Sequence, residues 1–476
     1  MKINITEKTG SYDGVIIPFY EDVLETSVLE LPLEALKTSK KFEGKISTTY
    51  HLTTMVEGHL KEVILLGLGK MDALTPKTLL NAFANAYRGI KKQKVQEVEL
   101  NLKGLKEEEM LAKAAVEAVV MADYKFDLKT KKEEDKEDKE VTLNLMTSVS
   151  EEMLEESRVL AESNLVARDL VNQPANIMTP IALADKVIEL GEAKGFEVEV
   201  LGLKQIQSLK MESFLAVAKG SSIEPRFIIM RYKGDASSDE ILGYVGKGLT
   251  YDSGGLSIKP TNSMVDMKSD MGGSAAVIGA MCAISEMKLK TNVVAVVAAC
   301  ENMISGNAYR PGDIISSMGG KSIFIGNTDA EGRLTLIDAM HYIVTKEKVN
   351  RVLDIATLTG AAIHCTGTAA SAAISNNDDF YKKVDAGFAL SGEQIWRMPI
   401  FDEYKELIKH EEADLTNTAG SPGTITAGLF IGEFTGDLPW VHVDIAGTAF
   451  AKKDAGFISK GGTGVAVRPL YYLAKN

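Results

Sequence analysis

The segment VGKGLTYDSGGLSIKPTNSMVDMKSDMGG, Val245 to Gly273, joins an apolar run to a small-residue helix pattern. Starting four residues upstream, ILGYVGKGLT (Ile241 to Thr250) reads as a strand, and GGSAAVIGAMCAISEM (Gly272 to Met287) has the spacing of a buried helix. Strand, glycine-rich turn and helix in that order form the unit of an α/β sheet, whose ligands gather beyond the carboxyl ends of strands. Lys247, Asp252, Lys259 and Asp270 all fall in this segment. A second stretch, IFIGNTDAEGRL (Ile323 to Leu334), has the same texture: an apolar run, then Asp329, Glu331 and Arg333, then an apolar helix. Alternate residues of extended backbone share a face, so these three side chains are expected to point into one cavity.

The alternation continues on both sides. FEVEVLGL, RFIIMRY, TNVVAVVAAC and NRVLDIATLTG are further strand candidates, and ALADKVIELGEAKG and RLTLIDAMHYIVTKE further helices. Nearer the amino end, VIIPFY, EVILLGLG and EVELNL read as strands, with LLNAFANAYRGIKK and EEEMLAKAAVEAVVMADY as helices. The charged run KTKKEEDKEDKE, Lys129 to Glu140, reads as a solvated hairpin or loop between two textures. Beyond it, Glu151 to Asn172 has helical spacing and stops at Gln173-Pro174. The expected architecture is therefore two α/β domains: a smaller one over 1–150, a connecting helix over 151–172, and a larger one over 173–476. No repeat of solenoid length is present.

Composition sets limits on function. The chain has 476 residues, 45% hydrophobic and 25% charged, which at roughly 150 residues per domain suits two or three soluble domains. Its net charge of -13 rules out a strongly basic nucleic-acid footprint over the whole molecule and leaves only a local patch open. Cys282, Cys300 and Cys365 are too few and too scattered for a disulfide framework, and each is expected to pack as a small apolar side chain. The first twenty residues lack a secretory pattern, and the uncharged tract Ile355 to Asn377 is too interrupted by polar residues to span a membrane. A cytoplasmic protein without membrane or nucleic-acid partners is expected.

If Asp252, Asp270, Asp329 and Glu331 share a cavity, their mutual repulsion demands a counter-charge. A pair of divalent ions would supply it, and so would Lys247, Lys259 and Arg333 as a salt-bridge network; residue type leaves both open, as it does two unrelated surface turns. Oxygen ligands suit Mg or Mn and tolerate Zn, and two ions about 3.5–4 Å apart can clamp the attacking and leaving oxygens of a hydrolysis. Nucleotide readings fail: before Gly246-Lys247, Ile241 stands where a phosphate loop needs glycine, and Gly248 where it needs Ser or Thr. Gly67-Leu68-Gly69 has Asp72 in place of a third glycine. None of the six histidines forms H-E-x-x-H, which argues against a histidine-based zinc protease.

At these two clusters the sequence resembles the leucine aminopeptidases, the cytosol aminopeptidase family. The family's octapeptide NTDAEGRL stands intact from Asn327 to Leu334. VGKGLTYDSGG, SIKP and MKSDMGG resemble the family in order and spacing, as do ARDLVNQPANIMTP (Ala167 to Pro180), DIATLTGA (Asp354 to Ala361) and VDIAGTA (Val443 to Ala449). The resemblance is strong over about the last 310 residues and weak over about the first 150. It implies a larger catalytic domain with a central mixed sheet flanked by helices, and a variable first domain that contributes to hexamer contacts.

The resemblance also implies roles. Lys247, Asp252, Asp270, Asp329 and Glu331 would hold two divalent ions, Mn2+ or Zn2+, with Asp252 and Glu331 shared between them; Lys247 must then be neutral. Lys259 would stay cationic and polarise the peptide carbonyl. Arg333 would hold a bicarbonate ion as general base toward the attacking water, a planar anion that suits a guanidinium fork. The substrate's free α-amine would bind a metal ion and Asp270, restricting cleavage to amino ends. Met267, Thr357, Gly360 and Ala446 resemble the apolar wall that accepts a leucine-like first side chain. Tyr251 departs from the family, many of whose members have Phe there. The implied activity is removal of the amino-terminal residue from short peptides by a homohexamer. Two other readings are weighed: a DNA-bound or otherwise non-catalytic regulator of the same fold, as some bacterial members bind DNA, and a different two-metal hydrolase such as a phosphoesterase.

Overall fold

The structure, a computed structural model, describes residues 1–6, 12–21, 23–24, 31–56, 58–130 and 140–476. Residues 131–139, most of the expected charged hairpin or loop, lie outside the described residues. The chain forms two compact units, Met1–Glu162 with Lys453–Lys460, and Ser163–Lys452 with Gly461–Asn476. The division falls inside the helix Glu151–Asn172. Among the described residues, no helix is long and apolar enough to cross a membrane.

Among the described residues, the first unit holds a sheet of β1 (Lys2–Thr6), β2 (Gly14–Tyr20), β3 (Thr49–Val56), β4 (His59–Gly69), β5 (Glu97–Asn101) and β6 (Thr142–Met146), in the order β1-β6-β5-β2-β4-β3. All neighbours are parallel except β3 and β4. The helix Pro76–Lys91 begins where Thr75 accepts the amide of Thr78 at 3.2 Å and Pro76 presets the first turn. Leu79, Leu80, Phe83, Tyr87 and Ile90 form its buried stripe. Its last two turns are tied to the helix Glu108–Asp123: Tyr87 Oη donates to Asp123 at 2.5 Å and Lys91 Nζ at 2.6 Å. Arg88 Nη2 donates to Ile458 O at 3.2 Å and lies 3.1 Å from Ser459 Oγ, which holds the returning segment Lys453–Lys460 in this unit.

The second unit begins its sheet with β7 (Glu197–Leu201), β8 (Arg226–Lys233), β9 (Leu242–Asp252) and β10 (Asn292–Asn302). Short β11 (Ile314–Ser316) and β12 (Ser322–Phe324) follow, then β13 (Arg351–Ala356), β14 (Ser371–Ser375), β15 (Ile395–Arg397), β16 (Leu415–Thr416) and β17 (Trp440–Asp444). The main sheet has the order β15-β14-β17-β13-β9-β10-β8-β7 and is mixed, while β11, β12 and β16 form a small separate sheet. β9 and β10 read as near-continuous apolar runs because both faces are covered. A Cβ on Gly243 would meet Ile343 of the helix Gly332–Thr345, and one on Gly246 would meet Ser274 of the helix Gly272–Glu286, so these helices lie on opposite faces. The fold is thus the two-domain α/β architecture with a mixed, helix-flanked central sheet that the sequence predicts.

β9, β10 and β13 are neighbouring parallel strands, and their carboxyl ends deliver Asp252, Asn302 and Thr357, the residue after Ala356. β9 carries an extra residue opposite the Cys300–Glu301 step, which leaves Asp252 beside Asn302 in register.

Candidate active site

Lys247 projects from the middle of β9 into a space that only small neighbours leave open. A Cβ on Gly332 would sit 2.4 Å from Lys247 Cε, so glycine at this place in the octapeptide makes room for the lysine. A Cβ on Gly273 would fall 2.1 Å from Ile355 O, so glycine there lets the helix Gly272–Glu286 start directly against β9 and β13. That close approach brings Asp270, in the turn Met267–Met271, to Lys247: Nζ donates to Asp270 Oδ1 at 2.7 Å and to Thr357 O at 2.9 Å, and lies 3.0 Å from Glu331 Oε1.

Lys259 forms the second ion-pair group, 2.8 Å from Asp252 Oδ2 and 2.5 Å from Asp329 Oδ1. Asp252 Oδ1 accepts from Gly254 N and Asn302 Nδ2, each at 2.8 Å. Asp252, Asp329 and Glu331 each present an oxygen within 4.8 Å of one another. The loops carrying them are laced together: Thr328 Oγ1 donates to Gly254 O at 2.7 Å and accepts from Ser257 N at 2.8 Å, and Asn417 Nδ2 donates to Asn327 O at 2.6 Å.

The electrostatics is that of too many acids in too little water. Burial first, then the neighbouring carboxylates, pushes Glu331 above its ordinary range; burial does the same to Asp270 and Asp329. Burial pulls Lys247 and Lys259 down, but the surrounding carboxylates outweigh it and hold both ammonium groups above their usual value. Arg333 is pushed down to about 10 by burial and remains a cation at neutral pH. Asp270 Oδ2 and Glu331 Oε2 are buried with no hydrogen-bond partner, as are Arg333 Nε and Asn302 Oδ1. A buried group left unpaired costs about 1–3 kcal/mol, more when charged, and native proteins carry few of them. Unpaired oxygens on two buried acids, one of them Glu331 with oxygens of Asp252 and Asp329 within 4.8 Å, fit the chemistry of a divalent cation.

The structure thus joins Lys247, Asp252, Lys259, Asp270, Asp329 and Glu331 in one cluster. Arg333 is different: among the described residues it has no ion pair, and it does not share a face with Asp329 and Glu331 by strand alternation. Glu331 already has helical backbone angles (φ -81°, ψ -35°) and Arg333 lies in the first turn of the helix, so the expected extended geometry is replaced by a turn into helix. Of the four residues assigned to a pocket wall, Thr357 is tied to the cluster through its hydroxyl, 2.8 Å from Asp270 Oδ1. Asp444 links the segment Leu358–Thr359 to Ala446, accepting from Leu358 N at 3.2 Å, Thr359 Oγ1 at 2.6 Å and Ala446 N at 3.1 Å. Gly360 faces open space, and Met267 opens the turn that carries Asp270. Sequence reading misses Asn302 and Asp444. It also expects three packed cysteines, whereas Cys282 and Cys300 are buried and Cys365 is exposed.

Comparisons with known proteins place these blocks in context. Residues 165–471 match the catalytic domain of the cytosol aminopeptidase family, and residues 18–132 match that family's N-terminal domain, so the likeness extends through the region where sequence motifs are weak. The chain is 47% identical to the "Probable cytosol aminopeptidase" of Clostridium perfringens, covering 98% of this chain and 97% of that one. It is 48% identical to the protein of the same name from Clostridium tetani, over 92% of each chain. Among solved structures, the bottromycin maturation enzyme BotP superposes with a TM-score of 0.87 at 29% identity, covering 98% of this chain and 99% of that one. The same enzyme in complex with Mn superposes with a TM-score of 0.88 at the same identity and coverage.

Proposed function

The chain belongs to the cytosol aminopeptidase family, and on that premise we propose that it is a metal-dependent aminopeptidase that removes leucine-like residues from the amino ends of short peptides. The observation that carries this reading is the pair of buried, unpaired oxygens, Asp270 Oδ2 and Glu331 Oε2, within a cluster of acids. Lys247, Asp252, Asp270, Asp329 and Glu331 would hold two divalent ions, and the Mn complex of the similar BotP supports Mn2+ as one candidate beside Zn2+. When bound, such a pair supplies Lewis acidity and eases ionisation of a water nucleophile near neutral pH.

The chain's own groups have separate tasks. As a ligand Lys247 is a neutral amine with two N–H groups; Asp270 Oδ1 and Thr357 O are placed to take both. Its third neighbour, Glu331 Oε1, lies 3.0 Å from Nζ, and loss of the ammonium's third proton would free the lone pair. Lys259 keeps its charge and stabilises the oxyanion that develops on the scissile carbonyl. Arg333, buried and with Nε unpaired, would hold bicarbonate, a group that would supply a general base toward the attacking water. Asp270 also accepts from the substrate's α-ammonium or amine, which selects free amino ends. Met267, Gly360, Ala446 and the methyl of Thr357 would form the wall for the first side chain. Cytoplasmic location is supported by the names of the relatives. Homohexameric assembly, with the first unit in its contacts, rests on family resemblance and is tested by sedimentation of the purified chain.

The experiment is hydrolysis of leucine amide and of its N-acetylated counterpart by metal-stripped protein titrated with Mn2+, Zn2+ or Mg2+. Metal-restored cleavage of the free-amine substrate alone is expected. Equal cleavage of both substrates, or of neither with any ion, overturns the assignment.

A further inference from the structure

Two buried aspartates of the cluster are fixed in the same manner. Both acceptor sites of Asp252 Oδ1 are filled, by Gly254 N and by Asn302 Nδ2, each at 2.8 Å. Its Oδ2 has Lys259 Nζ at 2.8 Å. Asp270 Oδ1 is filled as well, by Lys247 Nζ at 2.7 Å and Thr357 Oγ1 at 2.8 Å, while Oδ2 is buried and unpaired. The Thr357 hydroxyl also lies 3.1 Å from Asp270 O. An aspartate carboxylate turns easily about its last bond, because that torsion has broad wells. Without such donors either oxygen of each acid could face the cluster.

We propose that Asn302 and Thr357 are positioning residues that saturate one oxygen of Asp252 and of Asp270, so that only Oδ2 of each is presented to a divalent ion. The inference rests on the two-ion reading given above. Asn302 is wholly buried at the end of β10, the register partner of Asp252. Its Nδ2 donates to both Asp252 Oδ1 and Thr328 O, at 2.8 and 2.9 Å, while its Oδ1 has no partner. Turning the amide over would set Oδ1 against two acceptors, so the neighbours dictate the observed orientation even though it leaves an acceptor unpaired. In Thr357 two functions are divided within one side chain. The hydroxyl holds Asp270, and the methyl faces Gly272, where a Cβ would lie 3.2 Å from Thr357 Cγ2.

That division allows a test. Mn2+ binding to metal-stripped protein is measured by equilibrium dialysis for wild type, Thr357→Val, Thr357→Ser and Asn302→Ala, together with the paramagnetic resonance spectrum of the bound Mn2+. Valine keeps the volume and loses the hydroxyl, and serine does the reverse. Thr357→Val and Asn302→Ala are expected to weaken binding of at least one ion by about 10- to 100-fold and to alter the spectrum. Thr357→Ser is expected to bind as wild type does. Equal affinity in the valine and serine variants, or wild-type affinity in both Thr357→Val and Asn302→Ala, overturns the inference. If wild type itself binds no Mn2+, the two-ion reading falls as well, so the two failures are distinguishable. Circular dichroism of the metal-free proteins checks folding, and the Thr357 pair decides the matter if Asn302→Ala does not fold.

Discussion

Glu331 and Asp338 lie seven residues apart, at and within the helix Gly332–Thr345, both are buried, and they are accommodated in different ways. Asp338 has a backbone donor for each oxygen, Met318 N at 2.8 Å and Phe214 N at 3.0 Å. Asp354, on the neighbouring β13, is similarly complete: Oδ1 pairs with His442 Nδ1 at 2.5 Å and Oδ2 accepts from Trp440 Nε1 at 2.6 Å. Glu331 has Lys247 on one oxygen and nothing on the other. A raised pKa does not separate these cases, because burial pushes Asp338 up to about 6 just as it raises Glu331. What separates them is the unpaired oxygen. Asp338 and Asp354 are saturated by neutral and imidazole donors of the fold, whereas Glu331 and Asp270 each keep one buried oxygen without a partner.

The contrast can be broken most sharply at Glu331. Glu331→Gln is expected to lower kcat by about a thousandfold or more, some 4 kcal/mol of barrier, while the metal-free fold loses no stability because a repelled charge has been removed. Turnover assays and thermal unfolding of the stripped protein measure the two halves; a variant that keeps its activity, or that unfolds markedly earlier, erases the distinction. Asp354→Ala is expected to behave in the reverse way, losing about 3–5 kcal/mol of stability because a buried imidazole and indole N–H are stranded. Denaturant unfolding reads this, and a loss below about 1 kcal/mol would show that the saturated acids are dispensable.

Arg333→Ala has a smaller expected effect, about 10- to 100-fold in kcat, because added bicarbonate or water can partly replace a positioned base. Activity as low as that of Glu331→Gln would remove the bicarbonate role. The gentlest test is pH. Although burial works against its charge, the nearby Asp354 raises His442 above its ordinary value of 6.5. A basic group raised in the folded state stabilises fully below its unfolded pKa and loses that contribution as pH rises through the folded pKa. The melting-temperature advantage of wild type over His442→Asn should therefore shrink as pH rises from about 6.5. An advantage that stays flat or grows would show that the pair does not titrate as charged.

Much of the site is legible in sequence because its clustered acids and lysines come in two short, glycine-punctuated blocks. Gly273 and Gly332 explain the punctuation: each marks a place where another group, the Ile355 carbonyl or the Lys247 side chain, occupies the space of a Cβ. Asn302 is not legible, since it stands fifty residues from Asp252 and meets it only through strand register. The apolar run suggests a strand ending at Cys300, whereas β10 continues two residues further, to Glu301 and Asn302. Asp444 is missed for the same reason, its partners being far along the chain. Arg333 is legible as a residue but not in direction, because the turn after Asp329 replaces strand alternation with helix. In the first unit, β1, β3 and β6 escape a search for apolar runs. β3, TYHLTTMV, alternates exposed and partly buried positions, so Tyr50, Leu52 and Val56 are separated by Thr49, His51, Thr53 and Met55 and form no apolar run.

The central claim is that the unpaired oxygens of this acid cluster are cation ligands. The most direct test is an anomalous difference map from a crystal of the protein grown with Mn2+. Two peaks per chain are expected, one bonded to Asp270 Oδ2 and both in contact with Glu331 and Asp252, with Lys259 Nζ moved off Asp252 Oδ2. A map with no peak there, and with Lys247 and Lys259 still bridging the carboxylates, would contradict it.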